Sequence, residues 1–195
     1  MPVKSNFAAG NILTASDTNT YLTNGGLVYI TEATASGTAT LNISGCFSST
    51  YDCYRLVASE LRSSVGSVDI RYRFLTTGTT PDTTASYGGA WVGISTLNVS
   101  TNLNYTSQTQ GWFSNCYSTT ETGNVSVYDI FNPNLSRRTV LIGTSESLNS
   151  GLNGFDFRTG GSLHDNTVTT FTGIQFYATS GNLSGKFKVY GYRQA

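Results

Sequence analysis

The chain has 195 residues, enough for one sizeable core, and its charged residues amount to only 11% and cancel to a net charge of zero. That balance gives no basic field for nucleic acid and no acidic field for cationic partners. A hydrophobic fraction of 38% argues against disorder, and no run approaches the roughly 18 apolar residues of a membrane span.

Residues 1–13, which include Pro2, Asn6, Gly10 and Asn11, lack clean periodicity and read as an arm. "TASD" at 14–17 resembles a capping box with Asp17 in place of Glu, and its carboxylate suits the positive end of a helix. A helix is expected over about 15–22, stopped by "NGG" at 24–26. Two turns are too short to be stable alone in water, so this segment needs a surface to lie on. Its apolar residues, Phe7, Ile12, Leu13, Tyr21 and Leu22, are too few to build their own core.

From Leu27 onward the apolar period changes to two. "LVYIT", "TATLNI", "YRLVAS" (54–59) and "SVDIRYRFL" (67–75) read as strands, the last with Val68, Ile70, Tyr72 and Phe74 on one face. Residues 76–89 read as a turn-rich loop. "AWVGI", "GWFSNCY", "NVSVYDIFN", "RRTVLIG", "GFDFR" and "TVTTFTGIQFYAT" follow as strands. After the turn "SGNLSG" comes "KFKVYGYR", with Phe187, Val189 and Gly191 on one face. Strands at this spacing predict a sandwich or barrel.

The residues offer little chemistry. His164 is the one histidine, and despite its neighbour Asp165 it reads as a solvated loop residue with no nucleophile elbow nearby. Cys46, Cys53 and Cys116 read as buried small hydrophobes of a reducing compartment, with a Cys46–Cys53 pair across a turn as the alternative. "MPVKSNFAAG" has no apolar h-region, so no secretory signal is expected and the Asn-x-Ser/Thr matches carry no weight. One His and scattered thiols give no metal-ligand spacing, and no phosphate loop or dinucleotide fingerprint is present. Catalysis, metals and cofactors are therefore not expected. Trp91, Tyr105, Trp112 and Tyr117 sit in polar, Gly-rich surroundings. They are either core aromatics, the reading the residues favour, or flat faces for stacking on sugar rings. Arg137 and Arg138 are expected on a strand, facing opposite ways.

"FAAGNILTASDTNTYL" (7–22) resembles the N-terminal segment of many tailed-bacteriophage virion proteins. "FSSTYDCYRLV" (47–57) resembles a strand-turn-strand pattern of environmental, notably marine, phage structural proteins, as do "DIFNPNLSRRT" (129–139) and "TGIQFYATSGNLSGKFKVYGYR" (172–193). Such proteins are tail fibres, tail-associated adhesins or head decoration proteins. The resemblance implies a β-sandwich, often trimeric, with an N-terminal attachment segment, although the large shaft of a long fibre has no counterpart in this sequence. The expected fold is all-β: a single jelly-roll-like antiparallel β-sandwich over 27–195, with an N-terminal arm and one short helix over 1–26. The expected role is that of a non-enzymatic virion structural protein, assembled in the host bacterial cytoplasm. Phe7, Ile12, Leu13, Asp17, Tyr21 and Leu22 would dock it on other virion proteins of the tail or, alternatively, of the capsid. A homo-oligomer is expected, with a trimer favoured, together with contact to a host-surface glycan but none with nucleic acid or the membrane interior. A carbohydrate-binding module is the third reading. Only three Lys in the chain suits obligate assembly, since protein interfaces are depleted of Lys and Glu.

Overall fold

The computed structural model describes residues 26–95, 101–116, 124–148 and 154–192. The arm and short helix expected over 1–22 lie outside these residues, as does Tyr117. The described residues form thirteen strands and no helix: β1 (Leu27–Thr38), β2 (Leu41–Ile43), β3 (Cys53–Ser63), β4 (Val68–Thr77), β5 (Thr80–Pro81), β6 (Tyr87–Ser95), β7 (Thr101–Gln108), β8 (Gly111–Cys116), β9 (Val125–Phe131), β10 (Thr139–Leu148), β11 (Phe155–His164), β12 (Gly173–Ala178) and β13 (Leu183–Tyr192). An eight-stranded sheet runs β1-β13-β3-β9-β10-β11-β6-β7, and a five-stranded sheet holds β2, β12, β4, β5 and β8. Every pairing is antiparallel. The fold is an all-β antiparallel sandwich.

Alternation fixes which side chains enter the core, because successive residues of a strand point to opposite faces. Ile70, Tyr72 and Phe74 of β4 and Phe187 and Val189 of β13 are buried, on the faces that the sequence pattern marks as apolar. The two sheets meet through rings. Phe113 of β8 tilts against Tyr128 of β9 at 4.7 Å, Phe176 of β12 stacks on Phe187 of β13 at 4.6 Å, and Trp112 of β8 meets Trp91 of β6 at 4.9 Å. Aromatic pairs at such distances add about 0.5–1.5 kcal/mol each beyond the area they bury.

The tyrosines that cross this space each need a partner for a buried hydroxyl. Tyr72 Oη lies 2.5 Å from Ser162 Oγ, Tyr87 Oη donates to the Asp82 carbonyl at 3.1 Å, and Tyr128 Oη donates to the Phe113 carbonyl. A second polar seam is made of serines: Ser114 of β8 lies 2.7 Å from Ser145 of β10, which also accepts from Ser126 of β9 at 3.1 Å. Asn124 is fully buried and ties three strands, donating to the Leu61 carbonyl at 2.7 Å and accepting from the Leu148 N–H at 2.9 Å.

The turn between β12 and β13 requires glycine: Gly181 has φ 71°, in the left-handed region, and a Cβ there would stand 2.6 Å from Ser64 Oγ. Three strands depart from the sequence pattern. β5 and the start of β6 fall inside the stretch read as loop, and β7 is rich in Asn and Thr, which conceals its edge-strand character. Arg137 and Arg138 precede β10 instead of alternating along it, and Arg138 pairs with Asp165 of its own chain.

Candidate functional site

The structure overturns the solvated reading of His164. This residue ends β11 and is fully buried, with its ring edge-on to Tyr87 at 4.5 Å and to Phe171 at 4.8 Å. Its Nε2 lies 3.2 Å from Oδ2 of Asp82, off the line of a hydrogen bond, and its Nδ1 accepts from the Asn166 N–H at 3.4 Å. Burial pushes its pKa down, Asp82 and Asp165 pull it up, and the balance lies below the ordinary histidine value. Asp165, its neighbour in sequence, binds Arg138 instead. With Asp82 itself buried, the pair is enclosed. An open cleft of about 270 Å³ lies nearby, between Ser86, Thr106, Ser107 and Asp165, and its one carboxylate is held by Arg138.

The aromatics proposed for sugar stacking are core. Trp91 is 3% exposed and Trp112 is 0%, which removes both ring faces from solvent. The Trp112 indole N–H lies 3.3 Å from Asp69 Oδ1 and 3.3 Å from Asn115 Oδ1, and the Arg158 guanidinium covers its ring at 5.4 Å. Tyr105 packs against the core and accepts the Trp112 backbone N–H at 2.9 Å. The glycan-contact assignment of Trp91, Tyr105 and Trp112 is therefore withdrawn; Tyr117 lies outside the described residues, as do Phe7, Ile12, Leu13, Asp17, Tyr21 and Leu22. Cys46 is buried, which pushes its thiol up to about 12, and it forms no disulfide with Cys53. Among the described residues no group of three or more His, Cys, Asp or Glu could hold a metal ion, and no helix is long and apolar enough to cross a membrane.

What the sandwich leaves open is the outer face of the eight-stranded sheet, and that face has two halves. On β1, β13, β3 and β9 the outward face carries paired charges and tyrosines, with Val57, Val125, Val127 and Phe131 between them. Arg55 clasps Asp129 through two hydrogen bonds of 2.8 Å, and Tyr192 donates to the same carboxylate at 2.6 Å. Partial burial works to raise the Asp129 pKa, but Arg55 and Tyr192 outweigh it and hold the group below its ordinary value. Lys186 pairs with Glu60 at 2.7 Å and Lys188 with Glu32 at 3.5 Å. At the edge, Leu27, Val28 and Tyr29 of β1 are exposed where residues 1–25 join the sheet.

On β10, β11 and β6 the outward face is mostly apolar, broken by Thr144, Thr159 and Glu146. Ile94 is 63% exposed, Ile142 53%, Val92 50% and Phe157 40%. The register sets them in rows across the strands. Ile94 stands opposite Phe157, which stands opposite Glu146; Val92 opposite Thr159, then Thr144; Ala90 opposite Gly161, then Ile142. Glu146 is the one charged residue in these rows. An apolar patch of this kind is often an interaction surface.

No family model, curated protein or solved structure matches the chain. The site is therefore read from geometry and chemistry alone. The aromatic sites pointed to by local context are core, while the bare rows on β6, β10 and β11 are the surface a partner would meet. Alternation within "AWVGI" could have found part of them, since Ala90, Val92 and Ile94 lie on one face and Trp91 on the other, which gives apolar residues on both faces where a half-buried strand needs one; "GFDFR" puts both of its Phe on one face and its charges on the other.

Proposed function

We propose that the chain is a non-enzymatic structural protein of a tailed-phage virion, held on the particle through residues 1–26 and displaying the sandwich, in a tail-associated position as fibre, adhesin or adaptor. The observation that supports an assembly role is the mostly apolar half of the outer face, which is costly for a free protein and useful for one fixed among partners. The edge position of β1, with exposed Leu27, Val28 and Tyr29, supports attachment at that end. In this reading Phe7, Ile12, Leu13, Tyr21 and Leu22 supply the apolar contacts of the attachment, with the Asp17 carboxylate among them.

Head decoration is the second reading, and one observation favours it. With Trp91 and Trp112 inside the core, the described surface lacks the flat aromatic pair on which a glycan-binding tail adhesin was argued. Deleting residues 1–25 tests the attachment. The expected result is a folded sandwich that no longer joins particles; a truncated chain that still joins them overturns the reading. The position of the protein in a density map of intact particles separates tail from head.

A further inference from the structure

We infer that the apolar half of the outer face packs against the same half of a second copy of this chain, about a two-fold axis lying along the row Val92–Thr159–Thr144. The inference rests on reading that half as an assembly surface and is independent of the phage particle.

Three features of the rows point to a second copy over an unrelated partner. The first is shape. Phe157 and Gly161 on β11, like Ile94 and Ala90 on β6, are four positions apart along the strand. The rows therefore alternate between a ridge (Ile94, Phe157), a middle row, and a trough in which Ala90 offers a methyl and Gly161 no side chain. A two-fold axis along the middle row exchanges ridge and trough. It lays Ile94 and Phe157 of one copy over Ala90 and Gly161 of the other, with strands of the two sheets near the aligned packing of stacked sheets, about 10 Å apart.

The second feature is charge. A partner recognised by charge would need a counter-charge here, and the rows hold only Glu146. The two-fold sets the two Glu146 residues at opposite margins of the contact, so no like charges meet. Each methylene stem covers the other copy's Ile142 while the carboxylate stays at the rim. The third is area. Val92, Ile94, Ile142 and Phe157 together expose on the order of 400 Å², about the largest patch an ordinary monomer shows and roughly half of what each side of a stable interface buries. Thr159 lies on the axis itself, and Thr144 and the exposed Asn104 flank the patch as polar groups of the kind such interfaces carry at their margins. A two-fold contact is isologous and closes on itself, so it produces a dimer and not a fibre.

The test is the solution mass of the full chain by light scattering across micromolar concentrations, with single substitutions at positions that are already solvated. The expected result is a dimer that Ile94→Asp, Phe157→Asp and Ala90→Arg each weaken at least tenfold, with the thermal midpoint of the monomer unchanged. Val168→Asp, on an exposed loop, leaves the dimer intact. In a Cys53→Ser background, Thr159→Cys is linked to itself by a short bismaleimide and Val168→Cys is not. A monomer at these concentrations, a trimeric mass, or a dimer indifferent to all three substitutions overturns the inference. A dimer that forms only after residues 1–25 are deleted overturns it too, because the chain's own segment is then the occupant. Failure of the virion reading would appear separately, as loss of particle association with the dimer mass unchanged.

Discussion

Between β1 and β9 the outward positions of the eight-stranded sheet carry Lys186, Lys188, Glu32, Arg55 and Asp129, each within 4 Å of an opposite charge. Between β10 and β6 they carry Ile142, Phe157, Val92 and Ile94, half exposed, beside one carboxylate. Both halves belong to one sheet, share its alternation and cover the same aromatic core. The fold therefore does not force the second half to be apolar; a strand's outer face accepts Lys or Thr as readily. Charges already neutralised within the chain have little left to offer a partner, whereas bare apolar rows gain by being covered. The difference separates a face finished by its own chain from a face that is not.

The strongest way to break the comparison is to remove what both halves stand on. Trp112→Ala deletes the ring between Trp91 and Arg158, and Trp-to-Ala cavities cost about 3–5 kcal/mol. Denaturant unfolding is expected to show that loss. A variant within 1 kcal/mol of the parent would mean that the sheets do not depend on this contact. Next in size are the association variants at Ile94 and Phe157, whose signature is a lost dimer with an unchanged monomer midpoint.

A smaller effect comes from acidity. The His164 pKa lies below its unfolded value because burial outweighs Asp82 and Asp165, with Tyr87 packed edge-on beside it. The unfolded chain then takes up a proton that the folded chain refuses. Stability from this group is whole above the unfolded value of about 6.5 and is lost as pH falls through the lower folded value. The thermal midpoint is expected to drop on acidification below neutrality, and His164→Gln is expected to flatten that slope even though it lowers the midpoint overall. An unchanged slope would assign the acid sensitivity elsewhere. Smallest is Arg55→Ala, expected to cost at most about 1 kcal/mol because the pair is about one-third exposed. It should leave the dimer mass untouched; a lost dimer would move the interface onto the charged half.

Much of the sandwich was legible because its strands repeat the simplest signal, apolar residues two apart, as in Ile70, Tyr72 and Phe74 or Phe187 and Val189. β7 was not, because "TNLNYTSQ" is an edge strand whose polar residues meet water on one side and whose Leu103 and Tyr105 alone lean on the core. His164 was misread for a related reason. "GSLHDN" has the composition of a loop, and the strand persists through it only because β10 and β6 pair on either side, Thr139 and Tyr87 both opposite His164. Its partner Asp82 is far away in sequence, and no local pattern announces that meeting. The core reading that the residues favour for Trp91 and Trp112 holds, and the sheet order adds why glycines surround them: Gly111 lies where a Cβ would fall 2.1 Å from the Tyr72 ring. The candidate surface was half legible, since the apolar residues were visible in "AWVGI" and "GFDFR" but not that they would stand side by side.

The serine seam of Ser114, Ser145 and Ser126 has a consequence for how this chain finds one arrangement among many. An oily interior made only of rings and methyl groups tolerates sliding, because one hydrophobe substitutes for another at modest cost. A hydroxyl does not, since displaced by one residue it faces carbon and forfeits about 1–3 kcal/mol as an unanswered polar group. Three strands from both sheets must come into step for Ser145 to meet Ser114 and Ser126 together. The seam thus works as a combination lock on alignment: it adds little to how tightly the sandwich is held and much to which sandwich is held.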